Sequence, residues 1–183
     1  MVSSLDIGFF DEAKMSDPAD LLLFDIVSED FWWTTYVEGI RFGDSVEQAY
    51  SVTKMKAFTD SGTSCLIVPN DYFNWIIDNL EEYTDKGLTV GYYVACSERT
   101  KLPSIWLLYG GYWFEVRQED FVTESKGNCY ICISRSSLDE YWILGSSFMR
   151  GYYVTHDYDT LQFGIVPQAG SSKTVPIAGT VPT

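Results

Sequence analysis

The apolar positions of this chain form short runs that are separated by clusters of Gly, Asp, Asn and Ser. Runs of this length, several of them alternating with polar residues, are typical of β-strands bounded by turns. They recur at residues 21–27, 32–42, 88–95, 105–109 and 151–155. The pattern predicts a mainly β fold with many tight connections.

One longer segment has helical spacing instead. After a plausible start at Pro69 and Asn70, the segment to Tyr83 places four apolar residues on one face: Phe73, Ile76, Ile77 and Leu80. Asp71 lies in the first turn, where a negative charge is favoured by the helix dipole. We therefore expect a helix over Asn70 to Tyr83, and a weaker pattern predicts a second, short helix over Gln118 to Phe121.

The end of the chain has a different composition. From Gln168 onward the residues are mostly small, include two prolines and show no periodicity. This composition is typical of a linker or tail. The sequence therefore predicts a folded unit over residues 1–167 and a flexible tail or linker over residues 168–183 that adds little to the fold.

Composition and charge exclude several classes of partner. The chain has 183 residues, enough for one domain with a sizeable core, and carries 26 acidic against 12 basic side chains, a formal net charge of −14. A surface of this sign repels nucleic acid and anionic membranes, so we expect no nucleic-acid partner. No apolar run approaches the ~18 to 20 residues of a membrane span. The first residues also lack the pattern of a signal peptide.

One segment carries candidate chemistry. Phe58 and Thr59 lead into Asp60-Ser61-Gly62-Thr63-Ser64, and a new apolar run begins at Cys65. This arrangement holds a carboxylate in a tight turn between two strands, where Gly62 permits close backbone approach and the neighbouring hydroxyls can donate to the carboxylate. An isolated Asp-Ser-Gly is more often a turn in which Asp hydrogen-bonds its own backbone. The wider sequence has to decide between these readings.

Several segments resemble, in the same order, the carboxyl-terminal lobe of pepsin-like (family A1) aspartic proteases. Residues 58–64 are similar to the signature around the family's catalytic aspartate. The other matching segments are Phe31-Trp32-Trp33 with Val37 to Ile40, the helix from Asn70, Leu102 to Ile105 between Cys96 and Cys129, Trp142 to Gly145 with Phe148 to Tyr153, and a closing hairpin from Asp157 to Pro167. The resemblance spans about residues 5–167. It implies a mainly β fold, a single lobe of the pepsin-like acid protease fold with one or two short helices.

The resemblance also implies an activity and a role for each residue of the Asp60 segment. In this family each of two lobes contributes one aspartate, and the pair shares a proton around a water molecule. Asp60 would be the catalytic carboxyl, Ser61 would reach towards the other lobe, and Thr63 would hydrogen-bond the carboxylate. Gly62 and Ser64 would border the cleft that binds a peptide substrate. The implied function is an aspartic endopeptidase that needs no metal and no cofactor.

The second aspartate of such a pair is not encoded here, since no other Asp-Thr/Ser-Gly-Thr/Ser segment occurs. Three explanations stay open. The chain is a fragment or processed piece of an enzyme whose amino-terminal lobe supplies the second aspartate. Alternatively, it pairs with another copy of itself, or it serves as a structural or protein-binding subunit of a larger assembly. In each case a single copy of the chain holds half an active site, and we expect it to be inactive by itself.

The cysteines bear on the compartment. By resemblance Cys96 and Cys129 form a disulfide, which implies an oxidising environment such as the secretory pathway, a lysosome- or vacuole-like compartment or the exterior. Cys65 and Cys132 depart from the family pattern. Each is interpreted as a small buried apolar residue on a strand, with a disulfide between them as the alternative.

No catalytic role is expected for the histidine, for Ser146 or for the tryptophans. His156 is expected at the surface beside a hairpin turn, and Ser146 is assigned no role. The six tryptophans are expected mostly in the core, with one or two lining substrate pockets.

Overall fold

Most of the regular structure in this chain is β. The computed structural model describes residues 4–27, 32–45, 49–89, 91–136 and 141–181; Phe31, part of the aromatic segment above, lies outside them. The strands are β1 (Leu22–Asp25), β2 (Thr34–Phe42), β3 (Tyr50–Thr59), β4 (Leu66–Val68), β5 (Tyr93–Val94), β6 (Ile105–Tyr109), β7 (Tyr112–Val116), β8 (Val122–Ser125), β9 (Asn128–Ile131), β10 (Ile133–Arg135), β11 (Tyr141–Leu144), β12 (Tyr152–Asp157), β13 (Gln162–Pro167) and β14 (Ile177–Ala178). The α-helices are α1 (Asn70–Glu81), α2 (Gln118–Phe121) and α3 (Ser146–Met149).

Within the described residues the strands form three sheets. The largest has eight strands in the order β10-β4-β11-β3-β2-β6-β7-β14, and two smaller sheets have the orders β1-β13-β12 and β5-β9-β8. Neighbours that are close in sequence, such as β2 with β3 and β6 with β7, pair antiparallel. The predicted mainly β fold is confirmed.

Helix α1 begins and packs as the sequence pattern indicated. It starts directly after Pro69, with Asp71 in its first turn. The four residues on its apolar face, Phe73, Ile76, Ile77 and Leu80, are all buried in the main core. The helix is thus held to the sheet by its buried stripe. The predicted short helix over Gln118–Phe121 is also present as α2. Among the described residues, no helix has both the length and the apolar character needed to cross a membrane.

Two segments differ from the predicted elements. The apolar run at 88–95 contributes only the short strand β5, because Gly91 and Tyr92 both have positive φ and turn the chain just before it. By resemblance Phe148 to Tyr153 would form the strand after the Gly145 crossing, but its first residues belong to the helical turn α3, in which Phe148 is fully buried.

The tail also differs from its prediction, since the described part of residues 168–183 packs on the folded unit. Strand β14 pairs antiparallel with β7 at the edge of the eight-stranded sheet. Lys173 is buried, and its ammonium forms a salt bridge of 2.5 Å with Asp120. The tail therefore adds contacts to the fold, because its few anchoring side chains meet partners that lie far away in sequence.

Candidate active site

The Asp60 segment is a loop that crosses over the end of a strand. It connects β3, which ends at Thr59, to β4, which begins at Leu66, and β11 lies between these two strands. Strand β11 runs parallel to β3 and antiparallel to β4. The amide of Asp60 donates to the carbonyl of Leu144, the last residue of β11, over 3.1 Å. The loop is therefore fixed from below by a third strand.

Gly145 makes this crossing sterically possible. A Cβ atom added to it would lie 2.3 Å from the carbonyl oxygen of Cys65 and 2.5 Å from that of Thr63. Such distances leave no room for a side chain, because both neighbouring atoms belong to the backbone. The two residues after Gly145 are also hydrogen-bonded to the loop. The amide of Ser146 donates to the carbonyl of Thr63 over 2.8 Å, and the amide of Ser147 donates to the carbonyl of Ser64 over 3.0 Å.

The carboxylate of Asp60 is oriented by two donors of its own loop. The amide of Gly62 donates to Oδ1 over 2.9 Å, and the hydroxyl of Thr63 donates to Oδ2 over 2.6 Å. The Asp60 residue is half-buried. Donors on both oxygens limit the rotation of the carboxylate, and the open side of the loop leaves it accessible to a reacting molecule.

The remaining predicted site residues occupy the outer side of the same loop. Ser61, Gly62 and Ser64 are exposed, whereas Thr63 is half-buried beneath them. The structure thus brings together Asp60, Ser61, Gly62, Thr63 and Ser64 in one short turn. Their catalytic and substrate-binding roles stay predictions.

Ser147 is a supporting residue that sequence reasoning missed. It is buried, and its hydroxyl donates to the carbonyl of Ser64 over 3.2 Å in addition to the bond made by its amide. It thereby links helix α3 to the outer end of the loop. A serine two positions after the glycine of the crossing was the available signal, but serine at the start of a helix has many other uses.

One tryptophan, Trp32, lies near this loop and is largely exposed. Trp106, Trp113 and Trp142 are buried, whereas Trp32 is 56% exposed. Its ring stacks on Phe58 with a centroid separation of 5.0 Å and an interplanar angle of 11°. Since Phe58 precedes Asp60 by two residues, Trp32 provides an exposed aromatic face near the base of the candidate site.

The cysteine after the loop forms a disulfide that the first interpretation did not favour. Cys65 is bonded to Cys132, across a sequence separation of 67 residues. The reading of both as unpaired apolar residues is therefore wrong, and the alternative is correct. Cys132 precedes β10, which pairs with β4, so the sheet itself brings the two sulfurs together. The bond ties the outgoing end of the Asp60 loop to a neighbouring strand.

Removing this bond is expected to destabilise the lobe. The paired change Cys65→Ala and Cys132→Ala should lower the free energy of unfolding by about 2–4 kcal/mol, because it releases a long loop in the unfolded chain. Guanidinium unfolding followed by tryptophan fluorescence measures the change. The matched control is the paired change Cys96→Ala and Cys129→Ala, which opens a loop of 33 residues and leaves the Asp60 loop tethered. Unfolding curves of the first variant that coincide with those of the unchanged protein would contradict the expectation.

The second disulfide joins Cys96 to Cys129, so the structure contains the bond that the resemblance implied. The two sulfurs and the carboxylate of Glu124 lie within 4.8 Å of one another. Because both sulfurs are bonded to each other, they are not thiolates and the group does not form a metal site. Glu124 instead pairs with Arg99 at 3.0 Å.

His156 and Ser146 both lie in regular secondary structure. His156 is exposed on β12, directly before the hairpin turn, and contacts the ring of Trp33 with a centroid separation of 5.1 Å. It is thus a strand residue rather than a turn residue. Ser146 starts helix α3 and touches the Asp60 loop through its amide.

Comparison with known proteins agrees with this geometry. The family model described as "Eukaryotic aspartyl protease" matches residues 1–168. Among similar proteins, gastricsin of Mus musculus is 24% identical over 146 residues, which cover 77% of this chain and 37% of gastricsin. The vacuolar aspartic protease of Candida albicans is 29% identical over 140 residues, covering 74% of this chain and 32% of that protein. Pepsin A of Gallus gallus is 26% identical over 145 residues, which cover 77% of this chain and 37% of that protein.

These alignments cover most of this chain but only about a third of each relative. The matched family model extends over the strands, the Asp60 loop and the β11 crossing described above. The chain belongs to the eukaryotic aspartyl protease family, of which it has the mainly β fold of a single pepsin-like lobe.

Proposed function

We propose that this chain is the carboxyl-terminal lobe of an aspartic endopeptidase and that Asp60 is one of its two catalytic carboxyls. The observation that carries the proposal is the Asp60 carboxylate, which is oriented on both oxygens by its own loop. The loop in turn is held over β11 through Gly145. Such a support keeps a reacting group within the narrow geometry that catalysis requires.

The chemistry needs a second carboxyl close to Asp60. Two carboxyls a few ångströms apart do not both ionise readily, so one keeps a proton while the other is charged. The charged member takes a proton from a water molecule that attacks the scissile carbonyl, and the protonated member donates to the carbonyl oxygen. Because one carboxyl of the pair has to stay protonated, we expect the enzyme to be active at acidic pH.

We place the second carboxyl on an amino-terminal lobe. A segment at the start of the described chain supports this choice because it exposes large apolar side chains: Leu5 is 85%, Ile7 83% and Phe9 62% exposed. Exposed apolar residues grouped in this way mark a surface that a partner covers.

The two disulfides support a secretory or vacuole-like location, since such bonds persist in oxidising compartments.

The substrate we propose is an extended peptide with apolar side chains near the cut bond. The exposed ring of Trp32, which stacks on Phe58 near the Asp60 loop, supports this class, because aromatic rings bind apolar side chains well. Gly62 and Ser64, which are both exposed, would border the bound peptide.

The test uses the natural assembly that contains this chain. Purified from its source, it should cleave a denatured protein at about pH 3–5, as expected for a shared carboxyl pair, and a pepstatin-like inhibitor should block the cleavage. An assembly that lacks a second catalytic aspartate and cleaves nothing would overturn the proposal and favour a protein-binding subunit. Cleavage by the purified chain alone, with a dimer in sedimentation, would instead assign the second carboxyl to another copy.

A further inference from the structure

Residues 171–181, which we call the strap, lie along the edge of the eight-stranded sheet. The strap contacts the sheet at two anchors, Lys173 and Gly179, which are separated by residues that mostly face solvent. Its strand β14 is only two residues long, with Ile177 opposite Trp113 and Ala178 opposite Tyr112. A two-residue ladder contributes few backbone hydrogen bonds, so side-chain contacts at the anchors decide where the strap binds.

The first anchor is Lys173. Its ammonium donates to the carboxylate of Asp120 over 2.5 Å and to the carbonyl of Glu115 over 2.8 Å. The side chain is 3% exposed, and that of Asp120 is 5% exposed. Burial lowers the pKa of Lys173, and the charge of Asp120 opposes this shift. A buried lysine that meets a buried carboxylate is a specific contact, because either group alone would be left charged and unpaired.

The neighbouring Thr174 extends this anchor. Its hydroxyl donates to Oε2 of Glu115 over 3.1 Å, and Oε1 of the same carboxylate accepts from the hydroxyl of Ser104 over 2.8 Å. Burial acts to raise the pKa of Glu115, but hydrogen bonds from Ser104 and Arg117 and the charge of Arg117 outweigh it, so the pKa lies below its ordinary value. Glu115 is therefore charged at neutral pH and accepts hydrogen bonds on both oxygens.

The second anchor is a glycine placed against an indole ring. The amide of Gly179 donates to the carbonyl of Gly111 over 3.1 Å. A Cβ atom added to Gly179 would lie 2.6 Å from Cδ1 and Nε1 of Trp113. Val181 then packs on the small cluster that contains Trp113. This anchor accepts glycine and rejects any larger residue.

The floor of the second anchor is rigid. The guanidinium of Arg41 lies 4.3 Å from the ring centroid of Trp106 and 5.2 Å from that of Trp113. All three residues are buried. Stacking of this kind holds the indole of Trp113 in one orientation, so the surface that Gly179 meets is preformed.

We propose that the edge of β7, with the buried Asp120 carboxylate at one end and the Trp113 ring at the other, is a binding site for an extended peptide. The ligand class is a strand with a lysine, a glycine six positions later and a valine two positions after that. The resident ligand is the strap itself, and the site also binds a separate peptide of the same sequence. Addition of a strand to an open sheet edge is a general mode of peptide recognition.

The connection to the rest of the chain permits a direct test. Gly170 is exposed and has a φ of +73°, and nothing lies within 4 Å of an added Cβ. A recognition sequence for a site-specific protease, inserted between Gly170 and Ser171 of the full chain, would separate the strap without touching either anchor. After cleavage, a labelled peptide with the sequence of residues 171–181 is added in excess, and its incorporation is followed by fluorescence anisotropy.

The labelled peptide is expected to exchange into the cleaved protein and not into the uncleaved one, where the tether keeps the strap at high effective concentration. Peptides with Gly179→Val or Lys173→Met should compete about 100-fold less well, because of the clash with Trp113 and the unpaired Asp120. A peptide with Val175→Thr is the matched control and should compete within about 3-fold, because Val175 is 42% exposed and lies outside both anchors and the β14 ladder. No incorporation into the cleaved protein, or equal competition by the Gly179→Val peptide, would overturn the proposal.

Discussion

Asp60→Asn is expected to reduce turnover by the natural assembly about 10²–10⁴-fold, the usual contribution of a positioned acid or base. Asparagine has nearly the same shape as aspartate and still offers one oxygen to the hydroxyl of Thr63 or the amide of Gly62. It does not take a proton from water, and it does not share a proton with a second carboxyl. The loop should therefore keep its position while the chemistry stops.

The measurement is the initial rate of peptide cleavage at acidic pH, with thermal unfolding as a check that the fold persists. The control is Asp71→Asn, which removes the charge of an exposed aspartate in the first turn of α1 and should leave the rate within about 2-fold. Turnover that is unchanged in the Asp60→Asn protein would remove Asp60 from the proposed mechanism.

Gly145→Ala is expected to lower the free energy of unfolding by at least about 4 kcal/mol, which is exceptional for one methyl group. The added Cβ would lie 2.3 Å from the carbonyl oxygen of Cys65 and 2.5 Å from that of Thr63. Neither neighbour is a side chain that can rotate away, so the strand crossing and the loop have to separate. That movement would also disturb the bond between the Asp60 amide and Leu144.

Denaturant unfolding gives this change as a shift in the midpoint at similar slope. The neighbouring change Ser146→Ala is the control. It should leave the free energy of unfolding within about 0.5 kcal/mol, because Ser146 contacts the loop through its backbone amide, which alanine keeps. A Gly145→Ala protein that unfolds at the same midpoint as the unchanged protein would show that the crossing is less tightly packed than the structure indicates.

The Cys65–Cys132 disulfide and the strap share a structural role in this lobe. Each joins the Asp60 loop or the eight-stranded sheet to a second segment of the chain. The Cys65–Cys132 bond follows the loop directly, and the strap covers the edge of β7. An uncovered strand edge favours unwanted pairing with other chains, so the strap also protects the sheet.

Local pattern was sufficient for the parts of this protein that depend on neighbouring residues. The buried stripe of α1 follows from helical periodicity, and the strands at Leu22–Asp25, Thr34–Phe42 and Ile105–Tyr109 follow from apolar runs between turn residues. The Asp60 turn was also recognisable, because Asp, Gly and hydroxyl residues within five positions restrict what the loop can do. Its combination with other ordered segments indicated the family.

Contacts between distant segments decided the rest. The pairing of Cys65 with Cys132 depends on β4 lying beside β10, and the anchoring of Lys173 depends on Asp120, 53 positions earlier. Composition predicted a loose tail, because it does not record which buried partner a single lysine or glycine will meet. Likewise, only packing separates the exposed Trp32 from the buried Trp106, Trp113 and Trp142. Long-range packing selects among these possibilities because burial and pairing depend on proximity in space.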